Sequence, residues 1–393
     1  MSRGRFQALL ALLRLAHAAA APSRRHHGHS GHHLKNVTVR VRACDAPIKI
    51  ANLGYLGPTK MNHLDYFNRA YAQPRYRSAA AAPSAGAYDL DYVPWNCLTE
   101  LARATCPGGP ALGSFSVLPF TVYGKKQPKV THNSKIAALR ETLCPGAKVD
   151  PGRFALLGTE LPTRKVTSKG YAEIWDRFPY ASLKFTVPRP AVGHHALMNG
   201  ICVTQPAAPR PGESRRYLAA FMGLPRSAFG GLRDRLVREC EGASDCATTT
   251  TGFAAHHKPD PVTTYGNATF ALQPWGDTAT RKGFWDALAV GAVNVVFAPR
   301  GDKVPYGMYA DEFVGRHETF TITIPESAWS TGGTLAYLRN IPSSRILELQ
   351  RGALRARARA MYTTEGDCRD ANFAIASVLA ERFRAHQARK TGF

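Results

Sequence analysis

Acidic side chains are scarce in this sequence. Among its 393 residues, Asp and Glu number 28 against 51 Lys and Arg, which gives a formal net charge of +23. A balance this basic suits anionic partners such as nucleic acid, anionic membranes, acidic polysaccharides or phosphorylated substrates. The basic residues are scattered, however, and no pattern of a nucleic-acid-binding module is present. We therefore expect no nucleic-acid partner and attribute most of the excess to an arginine bias with solvated charges.

The N-terminal region lacks an apolar run long enough to cross a membrane. Phe6–Leu13 is apolar, but Arg14 interrupts it and leaves it too short for a spanning helix. Two arginines precede this run and the small-residue stretch His17–Ala21 follows it, which is typical of a secretory signal peptide over residues 1–21. Membrane association through an uncleaved signal and an organelle transit peptide are the alternatives. Residues 22–35, with five histidines, read as a stem or linker.

Closely spaced CxxC pairs, which are typical of zinc sites, are also absent. The eight cysteines are even in number, so disulfides are expected rather than metal sites. The first expected pair is Cys240 with Cys246, across a Gly-containing turn, and a second is Cys97 with Cys106. Two N-glycosylation tripeptides fit the same oxidising setting and begin at Asn36 and Asn267. These features predict a Golgi or ER lumenal protein, with secretion as the alternative.

The segment Phe270–Phe297 carries the strongest functional signal. It reads as an apolar strand, a turn, an amphipathic helix and a buried strand. The turn precedes a helix N-terminus, whose unpaired amides and partial positive charge suit a phosphate group. Arg281 adds a permanent charge whose planar fork fits phosphate oxygens. The other candidate phosphate contacts of this turn are Gly276, Asp277, Thr278 and Thr280. The alternative is an ordinary strand-to-helix loop.

This segment resembles the donor-binding segment of the exostosin-like family of glycosyltransferases. The family pattern runs roughly F-C-L-x-P-x-G-D-x-x-[ST]-x-R, an aromatic residue, [DE]-A-L/M and G-C-I-P-V. The positions that follow it are Phe270, Leu272, Pro274, Gly276, Asp277, Thr280, Arg281, Phe284, Asp286, Ala287, Gly291 and Val295. The sequence departs from the pattern at Ala271, where the family has Cys, and at Ala292-Val293-Asn294, which replaces Cys-Ile-Pro. The sequence therefore resembles a remote member of the exostosin-like family.

A second segment resembles the same family. Arg216–Gly223 reads as an apolar strand ending in glycine, and a helical pattern over Gly231–Cys240 follows a short basic loop. The family opens this half of its domain in the same order, with R-x-x-L-x-x-F-x-G, a basic loop and a helix. By this resemblance Arg226, in the loop, is a second candidate for the donor diphosphate. A plain surface role is its alternative.

The resemblance implies an α/β fold of the GT-B-like type, with two Rossmann-type domains facing across a cleft. The expected acceptor-side domain covers residues 36–205 and the expected nucleotide-sugar-binding domain covers 206–350. Helices over 351–393 would follow, and the last helix would cross back onto the first domain. Arginines 351, 355, 357 and 359 lie mostly on one face of the first of these helices, which favours a solvated stripe over an acceptor patch.

The implied function is an inverting glycosyltransferase that moves a sugar from a nucleotide-diphosphate donor to a glycan or glycoprotein acceptor. No cofactor is expected beyond the donor substrate, and a divalent cation is not expected. Asp286 is the acid that the family places at the nucleotide ribose, and a solvated or capping carboxylate is its alternative. The competing hypothesis is an inactive carbohydrate-binding or structural protein on a transferase scaffold. The sequence does not indicate the sugar, acceptor, linkage or oligomeric state.

Two features of the first half are weaker candidates. His194 and His195 follow a predicted strand over Leu183–Val187, in a loop where open α/β sheets bind ligands, and either could serve as the catalytic base. Plain surface histidines are the alternative. Asp89 and Asp91 form an Asp-x-Asp motif, which some glycosyltransferases use for a metal ion. The GT-B type usually replaces that metal with basic groups, so no metal site is expected.

Overall fold

The structure, a computed structural model, describes residues 37–42, 89–94, 97–107, 112–118, 131–158, 180–181, 183–186, 211–223, 225, 231–249, 260–275, 281–298, 310–362 and 370–392. These ranges contain two five-stranded sheets. Every neighbouring pair of strands in both sheets is parallel. The predicted α/β fold with two Rossmann-type sheets is confirmed. The exact domain boundaries stay predictions.

The first sheet is built from the first half of the chain. Its strands run in sequence order and are β1 Val39–Val41, β2 Leu90–Tyr92, β3 Gly113–Leu118, β4 Phe154–Gly158 and β5 Leu183–Thr186. Two helices accompany it, α1 Leu98–Ala104 and α2 Thr131–Leu143. All five residues of β4 are buried, as expected of a strand covered on both faces of a parallel sheet.

The second sheet has the strand order β10-β9-β8-β6-β7. Its strands are β6 Tyr217–Met222, β7 Cys246–Thr249, β8 Ala268–Leu272, β9 Val293–Phe297 and β10 Thr321–Ile324. The helices of this half are α3 Leu232–Glu241, α4 Pro261–Gly266, α5 Lys282–Ala289, α6 Asp311–Val314, α7 Glu326–Trp329 and α8 Thr334–Arg339. Because α3, α4 and α5 each follow a strand and precede the next parallel one, their N-termini lie at the carboxyl edge of the sheet.

Two long helices, α9 Ser343–Ala360 and α10 Ala371–Thr391, close the chain. Helix α10 packs on the first sheet, where a Cβ atom at Gly113 would lie 2.5 Å from the Phe383 ring. Its Gln387 Nε2 donates to the Leu112 carbonyl at 3.3 Å, and His386 Nε2 lies 3.0 Å from Asp150 Oδ1. The predicted return of the last helix to the first half of the chain is therefore confirmed.

One hydrophobic cluster connects these layers. It joins Tyr92 and Phe115 of the first sheet to Trp285 of α5 and Leu379 of α10. The side chains of β4 alternate between two clusters. Those of Ala155 and Leu157 lie in this cluster, whereas those of Phe154 and Leu156 pack with residues of α1 and α2. No helix of the described residues is long and apolar enough to span a bilayer.

The disulfides correct one sequence-based expectation. Cys240 is bonded to Cys246, the first predicted pair, and joins the end of α3 to the start of β7. Cys106 is bonded to Cys144 and not to Cys97, so the second expected pair is wrong. Cys106 and Cys144 follow α1 and α2, two helices that lie side by side. Proximity in the fold, rather than in sequence, therefore selects the partner.

The arginines of α9 also differ in part from the expected solvated stripe. Arg351 and Arg355 are exposed. Arg357 is largely buried, and burial lowers the pKa of its guanidinium. The side of α9 that carries Arg357 therefore packs against the protein.

Candidate functional site

Arg281 lies at the carboxyl edge of the second sheet. It is the N-cap residue of α5, and its extended backbone turns the chain from the loop after β8 into the helix. Its Nη2 donates a hydrogen bond to the carbonyl oxygen of Met222, the last residue of β6. The Arg281 guanidinium carbon lies 5.5 Å from the centre of the Phe221 ring. The side chain thus spans the ends of β8 and β6, at the edge where open α/β sheets bind ligands.

The two segments that carry the family resemblance meet at this arginine. Phe221, Met222 and Gly223 end the first segment, and all three contact the Arg281 side chain of the second. Gly223 has a φ of 157°, and a Cβ atom at this position would lie 2.8 Å from Arg281 Nη2. A side chain there would displace the guanidinium, which explains why a glycine ends this strand.

No carboxylate pairs with the Arg281 guanidinium among the described residues. Its contacts there are a carbonyl oxygen and an aromatic ring, and no carboxylate lies within ion-pair distance. Its Nη1 is buried and has no hydrogen-bond partner in the described part of the chain. A guanidinium in this state keeps both its charge and a donor for an anionic ligand.

Helices α3 and α5 both begin at this edge without a side-chain cap. Their N-cap residues, Gly231 and Arg281, accept no hydrogen bond through a side chain from the first turn. By contrast, Asp260 caps α4 and Asp370 caps α10 with their carboxylates. Uncapped first-turn amides suit an anion, because their N–H groups and the helix dipole both favour negative charge.

A group of buried polar side chains lies behind Arg281. Tyr265, at the end of α4, is fully buried, and Gln273, just after β8, is 4% exposed. Gln273 Nε2 donates to the carbonyl oxygen of Gly283 in the first turn of α5 at 2.9 Å. Burial raises the pKa of Tyr265, and the Arg281 charge is the first influence that opposes this rise. Neither Tyr265 nor Gln273 is marked by any sequence motif.

Asp286 lies in the second turn of α5 and is 4% exposed. Its Oδ1 accepts a hydrogen bond from Lys282 Nζ at 2.6 Å, one helical turn earlier. This pairing is the arrangement expected of a structural helix carboxylate, the alternative reading of Asp286. Its contact with a nucleotide ribose stays a prediction.

The residues that depart from the family pattern are buried in the core behind Arg281. Ala271 and Ala292, which replace two cysteines, are fully buried in one cluster with Ala220 and Ala287. Asn294, which replaces a proline, is fully buried, and its Nδ2 donates to the Phe284 carbonyl oxygen at 3.0 Å. These substitutions therefore alter the core between α5 and the sheet and leave the carboxyl edge unchanged.

Arg215, which immediately precedes the segment Arg216–Gly223, lies at the opposite edge of the sheet. Its guanidinium donates to four backbone carbonyl oxygens, those of Tyr265, Ala268, Val290 and Gly291, at 2.8 to 3.3 Å. Burial lowers its pKa to about 10, so it stays charged at neutral pH. This arginine ties together the ends of α4 and α5 and the start of β8.

Several predicted site residues lie outside the described residues: Gly276, Asp277, Thr278, Thr280, Arg226, His194, His195 and Asn36. Asn267 is exposed and ends α4, immediately before β8. It therefore lies at the amino edge of the sheet, away from Arg281, although the two are close in sequence.

Both carboxylates of the Asp-x-Asp motif accept hydrogen bonds from other residues of the protein. Asp91 is 1% exposed, and its carboxylate accepts four hydrogen bonds from Arg40 and Arg42 at 2.7 to 3.1 Å. Asp89 accepts two hydrogen bonds from Thr38, and Arg384 of α10 donates a third. Both acids thus hold strands and helix together.

Parallel sheets whose successive strands are joined by helices, with a candidate ligand site at the carboxyl ends of the strands, are typical of Rossmann-type α/β proteins. Residues 175–336 match the Exostosin GT47 domain. This similarity is the one that the two motifs predicted, and Arg281 and Asp286 lie within the matched region.

Curated relatives come from the same group. The chain is 25% identical over 191 residues to a protein named probable xyloglucan galactosyltransferase GT12 of Arabidopsis thaliana, covering 47% of this chain and 36% of the relative. It is 25% identical over 148 residues to xyloglucan-specific galacturonosyltransferase 1 of the same plant, covering 37% and 22%. Each alignment thus spans about a third of the relative or less. Among solved structures, the GtfA/B complex aligns over 75% of this chain and 57% of its own, at 10% identity and a TM-score of 0.38.

Proposed function

We propose that this protein is an inverting glycosyltransferase that transfers a hexose or uronic acid from a nucleoside-diphosphate sugar to a polysaccharide or glycoprotein acceptor. The similarity to the Exostosin GT47 domain and relatives named for galactosyl and galacturonosyl transfer support this class of reaction. The donor site is the carboxyl edge of the second sheet, at Arg281 and the start of α5.

The chemistry requires positive charge at the leaving group. When the bond between the anomeric carbon and the diphosphate breaks, its electron pair goes to the phosphate oxygen and negative charge grows there. The Arg281 guanidinium and the open amides of α5 are fixed in advance around this position, so they stabilise the charge without reorganising. In the inverting reaction the acceptor hydroxyl attacks from the opposite face and loses its proton to a base, for which His194 and His195 are the sequence candidates.

One observation carries this proposal. Arg281 is held by a carbonyl oxygen and an aromatic ring at the end of β6, and its Nη1 has no partner among the described residues. A buried guanidinium donor that lacks a partner costs free energy in the folded state. An anionic ligand at this edge would remove that cost, so the arrangement favours a phosphate-binding role.

The test is nucleotide binding and transfer by the parent and by Arg281→Ala. We expect UDP or GDP to raise the Tm of the parent, and Arg281→Ala to lose most of that shift and about 100-fold or more of the transfer rate. Arg339→Ala is the matched control, since Arg339 is exposed and pairs with Asp245 away from this edge. Wild-type binding and transfer by Arg281→Ala would refute the site.

The same Tm measurements distinguish this proposal from the competing hypothesis of an inactive protein. An inactive carbohydrate-binding scaffold without a donor site would show no Tm shift with any nucleoside diphosphate.

We also propose that the protein works in the lumen of the secretory pathway, because disulfides such as Cys106–Cys144 form in oxidising compartments. Retention of these disulfides in protein purified from the secretory fraction, and their absence from a cytosolic form, would test this location.

A further inference from the structure

Gln273 connects the loop after β8 to the first turn of α5. Its backbone N–H donates to the Val295 carbonyl oxygen at 2.8 Å, which anchors the residue on the neighbouring strand. Its side-chain Nε2 donates to the Gly283 carbonyl oxygen at 2.9 Å. Gly283 is two residues from Arg281, so this contact fixes the start of the helix relative to the end of the strand.

Tyr265 approaches the same turn from α4. A Cβ atom built on Gly283 would lie 3.0 Å from the Tyr265 hydroxyl oxygen and 3.1 Å from Gln273 Oε1. The hydroxyl, the amide oxygen and the backbone of Gly283 therefore share one small buried space. Burial raises the pKa of Tyr265, while the Arg281 charge, Gln273 and the Met222 backbone act in the opposite direction. The neutral phenol is thus adjacent to the groups that hold the guanidinium.

These contacts place a polar support directly behind Arg281. The Met222 carbonyl oxygen fixes the guanidinium from the side of β6. Gln273 fixes the helix turn that follows Arg281, from the side of β8 and β9. Without the second support the start of α5 could rotate, and the guanidinium would move even if its own hydrogen bond stayed intact.

We propose that Tyr265 and Gln273 are positioning residues, which hold the first turn of α5 at Gly283 and so align Arg281 and the helix amides with the donor diphosphate. The identity of that ligand rests on the proposed function. The burial of both side chains, the hydrogen bond from Gln273 to Gly283 and the closeness of the Tyr265 hydroxyl to that glycine carry the inference. Neither residue is expected to touch the donor.

The experiment measures the Kd for UDP and the Tm without nucleotide for Tyr265→Phe, Gln273→Leu and Gly283→Ala. We expect Gln273→Leu to weaken UDP binding about three- to tenfold, the factor that one net hydrogen bond is worth. Tyr265→Phe, which removes only the buried hydroxyl beside Gly283, should weaken it by a smaller factor. Gly283→Ala should also weaken binding, although alanine favours a helix and would raise the Tm if packing were indifferent. Tyr217→Phe is the matched control, because Tyr217 opens β6 at the amino edge.

A double-mutant cycle separates positioning from general stability. If Tyr265 acts through Arg281, Tyr265→Phe should change the Kd little in an Arg281→Ala background. Equal weakening in both backgrounds, or no weakening by Tyr265→Phe in the parent, would overturn the inference. If instead Arg281→Ala binds UDP like the parent, the proposed donor site itself fails, so the two failures are distinguishable. Gln273→Glu, which keeps the oxygen but loses the donor to Gly283, should resemble Gln273→Leu.

Discussion

The arginines of the two sheets have different partners. In the first sheet, Arg40 and Arg42 both bind the buried carboxylate of Asp91, and Arg42 also lies 4.0 Å from Glu100. In the second sheet, Arg281 contacts a carbonyl oxygen and an aromatic ring, with no carboxylate partner among the described residues. A guanidinium neutralised by a protein carboxylate has little attraction left for an anionic ligand. Of these three arginines, Arg281 is therefore the one whose charge is available to a ligand.

The largest expected effect in this comparison is that of Asp91→Ala. This variant leaves two guanidiniums without their carboxylate in a mostly buried place, which costs about 3–5 kcal/mol for a fully buried pair. Because Arg40 and Arg42 are about a quarter exposed, we expect the lower end of that range. Urea unfolding would measure the loss.

Arg281→Ala is the control for this prediction, because its effects on stability and on nucleotide binding should be the reverse of those of Asp91→Ala. That variant should change the unfolding free energy little and nucleotide binding strongly, whereas Asp91→Asn should recover part of the stability lost in Asp91→Ala. Comparable stability losses for Asp91→Ala and Arg281→Ala would show that the two arginine environments do not differ as described.

Arg215 sharpens the comparison, because its partners are also neutral, but they are four backbone carbonyl oxygens that accept hydrogen bonds from its two terminal nitrogens. Replacing it with Met removes four hydrogen bonds to carbonyl oxygens and leaves those oxygens without that donor. Hydrogen bonds to a charged group are worth about 1.5–3 kcal/mol each and do not add fully, so we expect a loss of about 3 kcal/mol. Arg216→Met, at the exposed neighbouring position, should cost little in the same unfolding assay. Equal losses for both variants would contradict this role.

The sequence predicted the elements around the site well because they follow local rules. The apolar run predicted as a strand over Leu183–Val187 is β5, Leu183–Thr186, and helical periodicity placed α3 to within a few residues. The motif around Arg281 also placed a helix start at the end of a strand. Local pattern and side-chain periodicity determine such features, so one sequence is sufficient to find them.

Features that depend on distant contacts could not be predicted in this way. The pairing of Cys106 with Cys144 requires α1 and α2 to lie side by side. The support of Gly283 by Tyr265 and Gln273 requires the order of strands in the sheet. The role of Arg215 was not predicted, because its four carbonyl partners come from segments that meet only in the fold.

A third prediction concerns the contact that ties α10 to the first sheet. A methyl group on Gly113 would overlap the Phe383 ring, with 2.5 Å between carbon atoms. Gly113→Ala should therefore destabilise the protein by about 2 kcal/mol, a typical cost of overpacking. Adding Phe383→Leu should recover part of this loss in a thermal unfolding experiment, since the smaller side chain makes room. If Gly113→Ala alone were as stable as the parent, α10 would not be packed tightly here.

The smallest expected effects are two pH dependences of opposite sign, one in each half. Burial alone would raise the pKa of Asp150, but hydrogen bonds from Lys390 and His386 outweigh it and lower the pKa below its ordinary value of 3.8. The stability that Asp150 contributes is therefore present above pH 3.8 and is lost as the pH falls through its folded-state pKa. Asp150→Asn should then lower the unfolding free energy near pH 6 and differ less from the parent at lower pH.

Glu239, at the end of α3, should behave in the opposite way. Burial raises its pKa above the ordinary value of 4.5, although the Leu335 N–H donates to its carboxylate. Its contribution is full below pH 4.5 and is lost as the pH rises through the folded-state pKa, because the ionised form must be kept in a partly buried place. Glu239→Gln, which keeps an acceptor for Leu335, should gain stability relative to the parent as the pH rises from 4 to 7. Urea unfolding measures the Glu239→Gln slope from pH 4 to 7 and the Asp150→Asn slope from pH 6 down through pH 3.8. Slopes of the same sign would show that the two carboxylates do not respond to burial and pairing in opposite ways.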